Sequence, residues 1–112
     1  TGVMTSTTTG VITNNSTECT YEVGLASYKK YGDSVDDQEI HDSQTDRIPP
    51  GGQITLVVTL PECAAQVDLF YGPLITPTFN GQRYGERLLD VRHTQTNRGF
   101  CARDTSGEEE DQ

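Results

Sequence analysis

The chain has 112 residues, enough for one domain built on a single core. Leucine, isoleucine, valine and phenylalanine supply only 23 of them, near the level below which charged chains stay unfolded, so a disulfide, a partner chain or attached sugar is expected to support the core. The formal charge of −9 argues against nucleic acid as a partner, since its binders cluster Lys and Arg against phosphate, and no apolar run approaches the roughly 18 residues of a membrane helix.

From Gly2 to Thr13 the residues alternate loosely, with Val3, Thr5, Thr7, Thr9, Val11 and Thr13 on one side. Met4, Ser6, Thr8, Gly10 and Ile12 fall on the other. Threonine favours strands, but this strand has little apolar surface and needs a ready-made sheet edge to join. That edge belongs either to its own domain or to a neighbouring subunit. Asn14-Asn15-Ser16-Thr17 then holds two overlapping N-glycosylation sequons, of which one, at Asn14 or at Asn15, is expected to carry sugar. Thr5, Thr7, Thr8 and Thr9 are candidates for O-linked sugar. Residues 1–18 therefore read as a Thr-rich strand and linker. The start at Thr1, without methionine or a leader, suits a processed extracellular protein.

Residues 19–93 carry the core. Tyr21, Val23 and Leu25 share one face of a strand, and Glu22, Gly24 and Ala26 share the other. "YGDSVDDQE" reads as a loop, and Ile40 and Ile48 punctuate a polar edge strand or pair of short strands. After the turn at Pro49-Pro50-Gly51-Gly52, Ile54, Leu56, Val58 and Leu60 form the clearest apolar face. Val67, Leu69 and Tyr71 define the next strand, and Asn80-Gly81 marks a turn. "ERLLDVRH" fits a short strand or one to two helical turns, with strand the preferred reading, and residues 94–112 form a polar, acidic C-terminal segment with the like-charge run Glu108-Glu109-Glu110-Asp111.

The three cysteines fit no metal spacing. Cys19 precedes Val23 and Leu25 by the same offsets as Cys63 precedes Val67 and Leu69. Facing strands that run the same way would bring the two together, so a Cys19–Cys63 disulfide is expected, closing a loop of about 45 residues. Cys101 is then left over, free or joined to another chain.

Chemistry is sparse. Asp33, Asp36, Asp37 and Glu39 have the composition of a calcium site but no EF-hand spacing, so a solvated loop without metal is the expectation. His41, Asp42 and Ser43 are neighbours on one strand and point to alternate faces, which prevents a catalytic triad. A non-enzyme is expected, with no cofactor beyond covalent glycan.

Short strands between Pro/Gly turns indicate an all-β, immunoglobulin-like antiparallel sandwich, short of a strand within Cys19–Val91. In outline the chain resembles bacterial fimbrial subunits that assemble by strand donation. The resemblance implies that Gly2–Thr13 donates to a neighbouring copy, with Val3, Met4, Val11 and Ile12 setting register. It implies an extracellular, head-to-tail polymer of identical copies. The alternative is a carbohydrate-binding or adhesive module of a larger secreted or cell-surface protein, with Tyr28, Tyr31, Tyr71 and Tyr84 as candidates for stacking on sugar.

Overall fold

The computed structural model describes residues 1–94 and 99–102. It is all-β, with seven strands in two antiparallel sheets. The strands are β1 (Gly2–Met4), β2 (Thr9–Thr13), β3 (Tyr21–Lys29), β4 (Glu39–Ile48), β5 (Gln53–Val57), β6 (Ala65–Tyr71) and β7 (Leu88–Thr94). One sheet has the order β1-β2-β5 and the other β4-β3-β6-β7. The pairings β2 with β5, β3 with β6 and β6 with β7 are those of an immunoglobulin-like sandwich, with the fourth strand beside the third. The acidic run Glu108–Asp111 lies outside the described residues.

The core between the sheets joins Met4, Ile12 and Leu56 from one side to Val23, Leu25, Ile48, Val67 and Leu69 from the other. These are the inward rows that period-two alternation marks. Residues 1–18 are part of this sandwich, since they contribute both β1 and β2. Val3 pairs with Val11 and Ile12 with Ile54, so the segment expected to be donated is paired inside its own chain. Met4 and Ile12 are buried in the chain's own core, while Val3 faces solvent. The expectation of a missing strand is thereby corrected. The Thr5–Thr8 stretch supplies the hairpin turn that lets one short segment make two strands of the sheet.

Both seams between the sheets are closed by side chains. On β7, Asp90 Oδ2 accepts the Met4 N–H at 2.7 Å and Arg92 donates to the Met4 carbonyl at 2.9 Å. On β4, Asp42 Oδ2 accepts the Thr59 N–H at 2.7 Å, and Gln44 Oε1 accepts the Val57 N–H at 2.7 Å. The Thr59 hydrogen bonds hold the Asp42 carboxyl below its usual range. Edge groups of the smaller sheet are thus paired with the chain's own side chains, a device that blocks edge-to-edge association.

A second core, invisible to strand alternation, covers the outer face of the larger sheet. Ala26, Tyr28 and Phe70 point outward and are roofed by Ile75, Phe79 and Tyr84 from the β6–β7 connection. The Phe70 and Tyr84 rings stack with centroids 4.2 Å apart. Tyr28 donates to the Ile75 carbonyl, and the Tyr84 hydroxyl accepts the Ile75 N–H and bonds to Tyr28. Gly24 leaves room for the Phe70 ring, since a Cβ there would meet Phe70 Cζ at 2.5 Å. Arg87 fastens the roof, donating to the carbonyls of Tyr71 and Pro73 and lying over the Tyr84 ring.

The disulfide is Cys63–Cys101, and Cys19 is a free, exposed thiol. The Cys19–Cys63 expectation fails because β3 and β6 are antiparallel neighbours in one sheet, not facing strands running the same way. Val23 pairs with Tyr71 and Lys29 with Ala65, so the residues leading into the two strands lie at opposite ends of the sandwich. The chain instead returns from β7 to the start of β6, where Ala64 donates to Gly99 and Cys101 to Lys30. Nonreducing peptide maps are expected to recover Cys63 and Cys101 in one fragment. Cys101→Ser should cost about 2–4 kcal/mol in urea unfolding, with Cys19→Ser nearly neutral.

Beneath the roof lies a buried polar string. Gln38 Nε2 donates to Gln66 Oε1 at 3.1 Å, and Gln66 Nε2 donates to Asp68 Oδ1 at 2.8 Å. Burial pushes the Asp68 carboxyl up to about 6, against the opposing pull of the Gln66 hydrogen bond. The folded chain therefore holds a proton that the unfolded chain releases, and this contribution to stability is lost as pH rises from about 4 through 6. Asp68→Asn is expected to stabilise the protein at pH 7 by on the order of 2 kcal/mol and to flatten the pH dependence of the urea midpoint over that window.

Candidate ligand-binding cleft between the sheets

At the end of the sandwich opposite the disulfide, residues of both sheets line a cleft of about 360 Å³. Its walls include Ile12, Val23, Ile48 and Leu89, with Thr1, Thr13, Asn15 and Ser16 on the polar side. Tyr21 and Tyr71 stand in it as an edge-to-face pair, ring centroids 6.3 Å apart and planes at 66°. They are 43% and 37% exposed, in contrast to the inward residues beside them. The pair arises from register. Tyr21 continues the inward row of Val23 and Leu25 on β3, and Tyr71 continues that of Val67 and Leu69 on β6. The smaller sheet ends before covering them.

Asn14 forms the anchor of this end. It is 4% exposed, and its Nδ2 donates to the carbonyls of Cys19, Ile48 and Pro49 at 2.7, 2.9 and 3.1 Å. Its Oδ1 accepts the Ser16 N–H at 2.9 Å. The β2–β3 and β4–β5 connections are therefore tied to one amide. Asn15, the next residue, is exposed, and its Nδ2 makes a long contact to Thr1 Oγ1 at 3.4 Å. Ser16 Oγ accepts the N–H groups of Glu18 and Cys19 and shapes the same connector.

Among the described residues no charged side chain lines the cleft, although the chain carries −9 overall. Tyrosine rings offer apolar faces to stack on, while amide and hydroxyl groups offer hydrogen bonds in both directions. A volume near the lower end of small-molecule sites suits a neutral, polar-faced ligand of one or two rings.

Of the tyrosines read as sugar-stacking candidates, only Tyr71 is in the cleft. Tyr28 and Tyr84 are corrected to core residues, their hydroxyls engaged beneath the roof and both pushed up in pKa chiefly by burial. Tyr31 donates to Glu39 Oε1 away from the cleft. Tyr21 went unrecognised, yet its signal is present: a tyrosine opens the alternating apolar row Tyr21-x-Val23-x-Leu25 and another closes the row Val67-x-Leu69-x-Tyr71. Antiparallel pairing, with Val23 opposite Tyr71 and Leu25 opposite Leu69, brings both tyrosines to one end.

The other candidates are dispersed. Asp36 is held by Arg83 at 2.7 Å and by the Gly81 N–H, and the Arg83 hydrogen bond draws its carboxyl below the usual range. Asp33 and Asp37 share its loop, and no group of three or more metal-binding side chains is gathered among the described residues. Thr5 and Thr7 are exposed at the hairpin turn, and Thr8 and Thr9 are half-buried. No family model, curated protein or solved structure matches the chain.

Asn14→Asp places a carboxylate against three carbonyl oxygens in a buried site. Urea unfolding is expected to show a loss of about 3 kcal/mol, whereas Asn15→Asp, on the exposed neighbour, should stay within about 0.5 kcal/mol of the parent.

Proposed function

We propose that the chain is a saccharide-binding module of a secreted or cell-surface protein, which takes a neutral sugar end in the cleft beside Tyr21 and Tyr71. The observation that carries this reading is the pair of exposed tyrosines at the mouth of a cleft that no charged side chain among the described residues lines. One ring stacks against the C–H face of a sugar, and the second closes the side at a steep angle. Thr13, Asn15 and Ser16 supply hydrogen bonds to hydroxyls. Recognition of this kind needs no metal and no catalytic group. The Cys63–Cys101 disulfide suits an oxidising compartment, and no helix among the described residues is long and apolar enough to cross a membrane.

Polymerisation by strand donation has less support. Its donor residues Val3, Met4, Val11 and Ile12 already lie in the chain's own paired strands, and side chains from β4 and β7 occupy edge groups of that sheet. Removing residues 1–13 deletes two strands of a closed sandwich, so the truncated chain should unfold rather than act as a filament cap.

A glycan array followed by NMR titration tests the module. Neutral saccharides should shift resonances of Tyr21, Tyr71 and the Asn15–Ser16 connector. Tyr21→Ala and Tyr71→Ala should each weaken binding about tenfold, equivalent to about 1.4 kcal/mol, with unfolding curves little changed. Binding that survives the double substitution, or shifts confined to another face, would overturn the assignment.

A further inference from the structure

We infer that Asn15, and not Asn14, is the glycan acceptor of the tandem sequons, and that its first sugar covers the mouth of the Tyr21–Tyr71 cleft. The two sequons look equivalent in sequence but are physically opposite. The Asn14 amide makes three hydrogen bonds to carbonyls at 4% exposure, so a sugar on its nitrogen removes the anchor of two connections and has no space to occupy. A chain modified there before folding could not close this end of the sandwich. Asn15 is exposed, its amide is free of any strong hydrogen bond, and its acceptor sequence ends in the exposed Thr17.

The transfer balances simply. Nδ2 of Asn15 bonds to the anomeric carbon of a lipid-linked saccharide, the bond from that carbon to the pyrophosphate oxygen breaks, and the pyrophosphate leaves with the electron pair. One amide proton passes to a base of the transferase. The product is a neutral N-glycosidic amide at a residue that itself lines the cleft. The attached sugar therefore starts at the site where free saccharide is proposed to bind, beside the tyrosine pair and among Thr1, Thr13 and Ser16. A tethered ligand competes through its high effective concentration, so occupancy of Asn15 lowers affinity for saccharide in solution. This last consequence rests on the proposed function. The choice of acceptor and the covering of the tyrosines do not.

The full chain is secreted from a eukaryotic host that glycosylates sequons, and the folded fraction is digested with an amidase that converts each glycosylated Asn to isotopically labelled Asp. Label is expected at Asn15 alone. Thr17→Val, which abolishes the Asn15 sequon and leaves Asn14-Asn15-Ser16 intact, should yield folded protein without glycan. Label at Asn14 in folded protein, or secreted folded parent without label, would overturn the acceptor assignment. Iodination then reads the covering: relative to Tyr31, modification of Tyr21 and Tyr71 should be several-fold lower in the glycosylated parent than in Thr17→Val. Equal modification would overturn it. Saccharide titration of both forms separates the two readings. Weaker binding by the glycosylated form supports both, whereas shielded tyrosines with no saccharide binding by either form would sink the proposed function and leave the glycan assignment standing.

Discussion

Strands β3 and β6 lie side by side in the larger sheet and are buried on both faces, and the rest of the molecule is arranged around that requirement. Their inward rows meet the smaller sheet, while Ala26, Tyr28 and Phe70 on the opposite face would otherwise stand in water. An antiparallel sheet ordinarily keeps one face solvated, so the second face has to be covered from elsewhere. Here the β6–β7 connection does so with Ile75, Phe79 and Tyr84. The thin apolar composition is thus divided between two small cores that share one sheet. Burial of Asp68 follows directly, because its position on β6 faces the roof.

The smaller sheet depends on the larger in another way. Three short strands cannot bury much of their own surface, and isolated hairpins are marginal in water. The β1–β2 hairpin is held by Met4 and Ile12 in the core and by polar side chains reaching across from β7, while β5 is held by those from β4. These contacts bind the layers together and also occupy backbone groups that another chain would use. A threonine-rich N-terminus that looks spare in isolation is therefore integral to the domain. Its apolar content is low because the larger sheet supplies most of the shared core.

Alternation was enough to read the strands that face this core, since Val23, Leu25, Leu56, Val67 and Leu69 sit at the expected parity. The roofed face was harder to read because its residues occupy the positions that alternation assigns to solvent. A break in period remains as the only local mark, in the run Leu69-Phe70-Tyr71. Roof residues Ile75, Phe79 and Tyr84 lie in a proline-interrupted connection that carries no strand or helix period. Strand direction was also hidden. Equal offsets after Cys19 and Cys63 suggested parallel facing strands, whereas a tyrosine at the start of one row and at the end of the other, Tyr21 and Tyr71, is consistent with the antiparallel orientation observed. The difference between Asn14 and Asn15 was beyond sequence, because the carbonyls of Ile48 and Pro49, brought in from the distant end of β4, join that of Cys19 in creating it.

The two ends of the sandwich are consequently unlike. At one end the disulfide and the Ala64–Gly99 and Cys101–Lys30 hydrogen bonds draw the chain tightly over the start of β6. At the other, the inward rows of β3 and β6 run past the smaller sheet and finish in tyrosines. Tyrosine suits such a terminus because its ring continues the apolar row while its hydroxyl meets water. A larger aliphatic residue there would expose apolar surface with no compensating polar group, and a charged residue would sit against Ile12, Val23 and Leu89. The mismatch in sheet length thus creates an amphipathic cleft without a dedicated insertion. The Asn14 amide fixes its rim by joining two connections, which leaves Asn15 projecting from a rigid support. The recognition and the modification proposed for this protein therefore both belong to the same uncovered end, where the smaller sheet stops.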